Sequence, residues 1–172
     1  MMLSPKVRDA LNGHLNAELF SSYLYLSMSA HFEAASLPGM AHWMRIQVQE
    51  ETIHAMKFYN FILERNADVV LTEIAAPRTE WGAPLEVFED TLEHEQKVTS
   101  LINDLVGLAI EEKDRATENF LQWFVTEQVE EEASASTILD QLKMVGDNGV
   151  ALFMIDGQLA QRPAPALTTA TE

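Results

Sequence analysis

Four long segments of the sequence carry buried-type residues at alternating spacings of three and four, the period of amphipathic helices. They cover roughly residues 5–34, 39–66, 84–112 and 116–145, and a shorter fifth segment covers about 150–161. Proline and glycine mark the breaks between them. Helices with this spacing pack against one another at a shallow angle. The pattern therefore predicts an all-α bundle.

The link between the second and third segments constrains the topology of that bundle. Residues 67–83 are too many for a simple turn, and loops of this length are uncommon without a reason. A helix of ~27 residues is about 40 Å long, and a link of this size can extend up to ~56 Å. The link can therefore run the whole length of the bundle. We predict a four-helix bundle with one long crossover and a short fifth C-terminal helix.

Each of the four helical stripes is interrupted near its middle by carboxyl, amide or imidazole side chains. In the predicted topology these midpoints fall in one layer of the core. The residues are Glu18, Glu51, His54, Glu95, Gln128 and Glu131.

Burying these acids as ions would be costly. Each ionised carboxylate loses several kcal/mol of hydration, and four of them approach the ~5–15 kcal/mol stability of a whole domain. No Lys or Arg lies on a stripe near the layer. The acids must therefore be protonated, hydrated or neutralised by bound cations. With carboxylate and imidazole ligands and no cysteine in the chain, bound metal would be iron or manganese, with zinc also possible.

Charge and hydropathy narrow the kinds of partner and the cellular location that we expect for this protein. The formal net charge of −16 argues against a nucleic-acid-binding surface. The N-terminus lacks the pattern of a signal peptide, and no apolar run approaches the ~20 residues that cross a bilayer. We expect no nucleic-acid or membrane partner and a cytoplasmic location.

Four motifs together resemble the non-haem ferritins of bacteria and archaea. The resemblance covers about residues 3–160, and the motifs occur in family order on the expected helices. They lie at residues 16–18, 49–56, 93–95 and 119–132.

The resemblance implies a dinuclear ferroxidase centre that oxidises Fe²⁺ with O₂ or peroxide. Glu18, Glu51 and His54 would hold the first iron, with Glu51 bridging to a second iron held by Glu95 and Glu131. In the same centre, Gln128 would hydrogen-bond a bound oxygen species or water, and Tyr25 could donate an electron. In similar ferritins a third iron site uses Glu131 together with three further acids, which here are Glu50, Glu127 and Glu130.

The family also implies an oligomer. Storing Fe³⁺ as a mineral needs a cavity, and the family encloses one with a homo-oligomeric shell of 24 protomers. Haem is not expected, because Thr52 and Ile53 occupy the stretch in which bacterioferritins carry a haem-binding Met. Two alternatives stay open: a di-metal oxidase or peroxidase of the same bundle type without storage, and a metal-free helical scaffold.

The remaining predictions concern the ends of the chain and the other histidines. We assign residues 1–162 to one ferritin-like di-iron domain and expect a disordered tail over 163–172. The apolar face of the fifth segment predicts a subunit contact. We expect no role for the remaining histidines, at the surface or at helix ends. These are His14, His31, His42 and His94.

Overall fold

The computed structural model describes residues 3–166 of the chain, and part of the predicted tail, residues 167–172, lies outside the described range. The described residues form five α-helices and no strand. The predicted all-α class is therefore confirmed. The helices are α1 (Pro5–Ala34), α2 (Pro38–Glu64), α3 (Pro84–Glu111), α4 (Arg115–Val145) and α5 (Gly149–Leu159).

Local sequence signals set the beginnings of these helices. Three of the long helices have proline in their first turn, where a missing N–H costs nothing. The side chain of Ser4 accepts a hydrogen bond from the backbone N–H of Val7 and caps α1. Asp114 caps α4 in the same way by accepting from Thr117. The beginnings of α1 and α4 therefore follow from residues next to each break.

The crossover between α2 and α3 runs along α1. Asn12 donates to the carbonyl of Asp68 at 3.1 Å and accepts from the N–H of Val70 at 2.7 Å. Four turns further along α1, the hydroxyl of Ser27 donates to the carbonyl of Arg78 at 2.7 Å. The link is thus fastened along most of the bundle. It begins and ends at opposite ends of the bundle, so α2 and α3 run parallel and the predicted long crossover is confirmed.

Two apolar clusters fill the bundle, one towards each end. The first, which we call the α5-end cluster, contains Phe32, Trp43, Phe88 and Leu142 among its members. The second, the far-end cluster, contains Leu11, Phe58, Ile102 and Leu121 among its members. The polar midpoints of the four long helices lie between them.

Helix α5 seals the end of the bundle next to the start of α2. A Cβ atom added to Gly39 would lie 1.7 Å from the carbonyl oxygen of Asp156, so only glycine permits this approach. The first turn of α2 has no capping side chain of its own. Instead, the carboxylate of Asp156 accepts a hydrogen bond from the N–H of Met40 at 2.8 Å.

The apolar residues of α5 face two ways. Ile155 and Leu159 are buried against the bundle, whereas Val150, Phe153 and Met154 are exposed. The subunit contact expected for this helix stays a prediction. Over the described part of the chain, no helix has the length and hydropathy needed to span a membrane.

Candidate metal centre

The six midpoint residues lie together in the interior of the bundle. All are at most 5% exposed. They come from the middle turns of α1, α2, α3 and α4, and the parallel arrangement of α2 and α3 brings those turns to one level. The members of the layer are Glu18, Glu51, His54, Glu95, Gln128 and Glu131.

One side of the layer forms a compact group of possible metal ligands. Glu18, Glu51 and His54 each offer a ligand atom, and these atoms lie within 4.8 Å of one another. Nδ1 of His54 lies 3.5 Å from Oε2 of Glu51. Among the described residues, Oε2 of Glu18 and Oε2 of Glu51 are buried without any hydrogen-bond partner. Buried polar atoms are normally satisfied, so a cation between these carboxylates would satisfy both.

A second group shares the imidazole of His54. Here the ligand atoms of His54, Glu127 and Glu131 also lie within 4.8 Å of one another. Glu131 is fixed by the side-chain amide of Gln47, which donates to its Oε2 at 2.9 Å. His54 therefore stands between two groups of carboxylates.

Glu95 completes the layer from α3 and is held by two hydrogen bonds. The hydroxyl of Tyr25 donates a hydrogen bond to Oε1 of Glu95. The side-chain amide of Gln128 donates to Oε2 of Glu95 at 3.1 Å. Tyr25 and Gln128, which are both predicted to take part in the centre, therefore each contact the proposed metal ligand Glu95 directly.

The electrostatics of the layer favour bound cations. Burial raises the pKa of Glu51, Glu95 and Glu131 to about 8 each, and it raises the pKa of Glu18 as well. Burial alone would lower the pKa of His54, but its contact with Glu51 outweighs burial and raises the pKa to about 10. The acids thus resist ionisation unless positive charge is near them. The donor set of oxygen and imidazole nitrogen suits iron.

Comparison with known proteins assigns the family. The family model of the ferritin-like domain matches residues 8–145. A curated relative, the bacterial non-heme ferritin of Bacteroides fragilis strain 638R, is 48% identical over 94% of this chain and 100% of its own length. The chain belongs to the non-haem ferritins. This is a family of iron-storage proteins, and the predicted resemblance is confirmed.

Other ferritins agree with this assignment. A probable bacterial non-heme ferritin-like protein of Haemophilus influenzae is 44% identical over 92% of this chain and 96% of its own length. The crystal structure of an open pore ferritin from Archaeoglobus fulgidus superposes with a TM-score of 0.93 at 48% identity. That match covers 94% of this chain and 99% of the archaeal chain.

Two residues of this ferritin chain support the centre without having been assigned to it. The expectation that His14 lies at the surface or at a helix end is wrong, because the side chain is only 4% exposed. Its Nε2 lies 2.9 Å from Oε1 of Glu18. Burial lowers the pKa of His14 to about 4, so the ring is neutral, and its Nε2 shares a hydrogen bond with the Glu18 carboxyl group. Gln47 lies on the buried stripe of α2 and is fully buried. Both contacts occupy one oxygen of a proposed ligand and hold its carboxylate in place.

The three acids of the predicted third iron site do not share one environment. Glu127 is half-buried and contributes to the group around His54. Glu50 is turned towards Arg162, whose Nη2 lies 2.6 Å from its Oε2. Glu130 is exposed and belongs to neither ligand group found among the described residues. The third site therefore stays a prediction.

The metal-free ferritin will lose stability as the pH rises from about 6.5 to about 8. In this range the folded chain keeps protons on Glu51, Glu95 and Glu131 that the unfolded chain has released, because burial raises their pKa to about 8. For each such proton, the free energy of unfolding falls by up to ~1.4 kcal/mol for every unit by which the pH rises. His14 and His94 act in the opposite direction, but only between about 4 and 6.5.

The measurement is the thermal midpoint in the presence of a chelator at several pH values. Glu131→Gln cannot ionise and should make the decrease with pH shallower. A midpoint that stays constant or rises over this range would contradict the prediction. Saturating the centre with metal should flatten the curve, because the cation keeps the carboxylates ionised at both ends of the range.

Proposed function

We propose that this ferritin oxidises Fe²⁺ with O₂ or peroxide at a dinuclear centre inside each protomer. The oxidised iron is then stored as a mineral inside a homo-oligomeric shell of 24 protomers. The observation that carries the proposal is the pair of unpartnered carboxylate oxygens, on Glu18 and Glu51, buried beside His54. Four acids in one layer match the charge of two divalent ions.

The contacts in the layer suggest a role for each residue. Glu18, Glu51 and His54 bind the first Fe²⁺, and Glu95 with Glu131 binds the second. Glu51 would be shared by the two ions, as the resemblance to other ferritins implies. Each Fe²⁺ loses one electron, and the oxidant gains both. Metals that share oxygen in this way lie ~3.5–4 Å apart.

The residues around Glu95 face the oxidant. Gln128 keeps an amide next to Glu95 and can hydrogen-bond oxygen or water bound between the metals. Tyr25 is fully buried with its hydroxyl on Glu95, which places a redox-active ring beside the centre. When Tyr25 gives a further electron to the oxygen species formed from the oxidant, its hydroxyl proton can pass to Glu95.

Aerobic loading tests this proposal. The protein is given Fe²⁺ in large excess in air, separated from free iron by size-exclusion chromatography, and analysed for iron per chain and for particle mass by light scattering. We expect a very large particle that retains far more iron than two ions per chain. Retention of only about two per chain would favour a di-metal oxidase without storage. No retained iron and no oxidation would favour the metal-free scaffold.

A further inference from the structure

The segment after α5 returns to the bundle and is anchored there through Arg162. We call residues 160–166 the C-terminal strap. The carbonyl of Arg162 accepts a hydrogen bond from Nε2 of His42 at 2.8 Å, and its Nη1 donates to the carbonyl of Trp43 at 3.3 Å. The guanidinium also lies over the ring of Trp43, 4.4 Å from the centroid. These contacts fix the strap against α2.

The same guanidinium reaches an acid of the predicted third iron site. Nη2 of Arg162 donates to Oε2 of Glu50 at 2.6 Å, and both side chains are about one fifth exposed. A partly buried Arg–carboxylate pair of this length is a strong contact. One oxygen of Glu50 is therefore occupied by a protein cation.

The strap also lines the cavity beside this ion pair. The cavity has a volume of about 210 Å³. Pro165 and Ala166 line it from the strap, and the bundle contributes Glu50, Ile53, His54, Lys57, Trp123 and Glu127. The ammonium of Lys57 lies over the ring of Trp123, 4.2 Å from its centroid, so Arg162 is the cation that pairs with Glu50. His54 belongs to both ligand groups described above. The cavity thus connects the dinuclear centre to Glu50 and is bordered by the strap.

We propose that Arg162 is the counter-ion of the third iron site, which iron leaving the dinuclear centre must displace. The inference rests on the proposed function and on the third iron site that the resemblance to other ferritins implies. While the site is free of iron, Arg162 neutralises Glu50 and holds the strap along the cavity. An arriving ion carries at least two positive charges against one on the guanidinium, so it binds the carboxylate more strongly. Arg162 then releases Glu50 but stays attached to Trp43.

Arg162→Gln tests this competition, because it removes the charge and keeps a polar side chain. Anaerobic titration calorimetry with Fe²⁺ follows binding without oxidation. We expect two equivalents to bind as in the wild type and a third to bind at least about tenfold more tightly, because the competing charge is gone. Adding Glu50→Gln to Arg162→Gln should abolish the third equivalent. Arg45→Gln is the matched control, since Arg45 pairs with Glu33 at the exposed surface.

The outcomes separate this inference from the proposed function. If the first two equivalents bind but the affinity for the third is equal in wild type and Arg162→Gln, the role of Arg162 is wrong. If no equivalent binds in any variant, the dinuclear centre itself is wrong. Crystals of the wild type soaked in Zn²⁺ give a second test that needs no variant. Anomalous density beside Glu50 must coincide with a broken contact between Glu50 and Arg162, and density beside an intact contact would overturn the inference.

Discussion

Glu51→Ala and His54→Ala will each slow the initial oxidation of Fe²⁺ by more than about tenfold while the particle still assembles. Loss of an outer-shell partner alone costs about 10–100-fold in metal affinity or activity. These two residues are themselves proposed ligands, and His54 takes part in both ligand groups. The measurement is the initial rate of Fe³⁺ formation by absorbance after mixing with Fe²⁺ in air, at equal protein concentration.

Assembly should survive these changes because the removed groups are not needed for folding. Oε2 of Glu51 is buried with no hydrogen bond and has only the 3.5 Å contact to Nδ1 of His54, so replacing Glu51 removes a poorly satisfied carboxylate, and this gain offsets the lost packing. Glu64→Ala is the matched control, since Glu64 lies on the same helix but is exposed. An unchanged initial rate in Glu51→Ala or His54→Ala would remove that residue from the centre. A variant that no longer assembles would show that the layer is required for folding.

Gly39→Ala will displace α5 and lower the thermal midpoint by several degrees. The new Cβ would meet the backbone carbonyl of Asp156 at 1.7 Å, and neither backbone can rotate away as a side chain would. Moving α5 breaks the hydrogen bond from Met40 to Asp156 and exposes Ile155 and Leu159. Overpacking of this kind costs typically about 1–3 kcal/mol, and about 2–4 °C is lost per kcal/mol in a chain of this size.

Gly157→Ala is the control for the glycine-to-alanine change itself. Gly157 lies within α5, and a Cβ added there meets nothing within 4 Å. Alanine favours a helix over glycine by about 1 kcal/mol, so this variant should be as stable as the wild type or more so. Circular dichroism melting compares the two. Equal midpoints for Gly39→Ala and the wild type would mean that α5 is not packed closely on α2.

The layer of the centre could be predicted because helical periodicity is a local property. A residue such as Glu95 occupies an apolar stripe, and this placement alone indicates that it is buried. The long link then gives the relative direction of α2 and α3, which sets all stripe midpoints at one level. Family resemblance added the assignment of each residue to a metal, and that assignment stays a prediction.

Helical periodicity did not predict contacts made by residues beside a stripe, or contacts between residues that are far apart in the sequence. His14 lies one turn before Glu18, and this i to i+4 spacing was the signal that could have placed it against the acid. Asp156 meets Met40 across 116 positions, and no local pattern encodes such a pairing. Arg162 follows the last helix and precedes a proline-containing tail, so its sequence neighbourhood indicates a domain end rather than an anchor.

The separation of the core into an α5-end cluster and a far-end cluster makes the protomer modular. Apolar packing is concentrated in these two clusters, and the candidate metal centre lies in the polar layer between them. Side chains in either cluster can therefore be redesigned independently, provided that the four long helices keep their alignment along the bundle axis at the polar layer. A shift of α3 by one turn would move Glu95 about 5.4 Å along the axis, away from Tyr25 and Gln128, and would dismantle the centre.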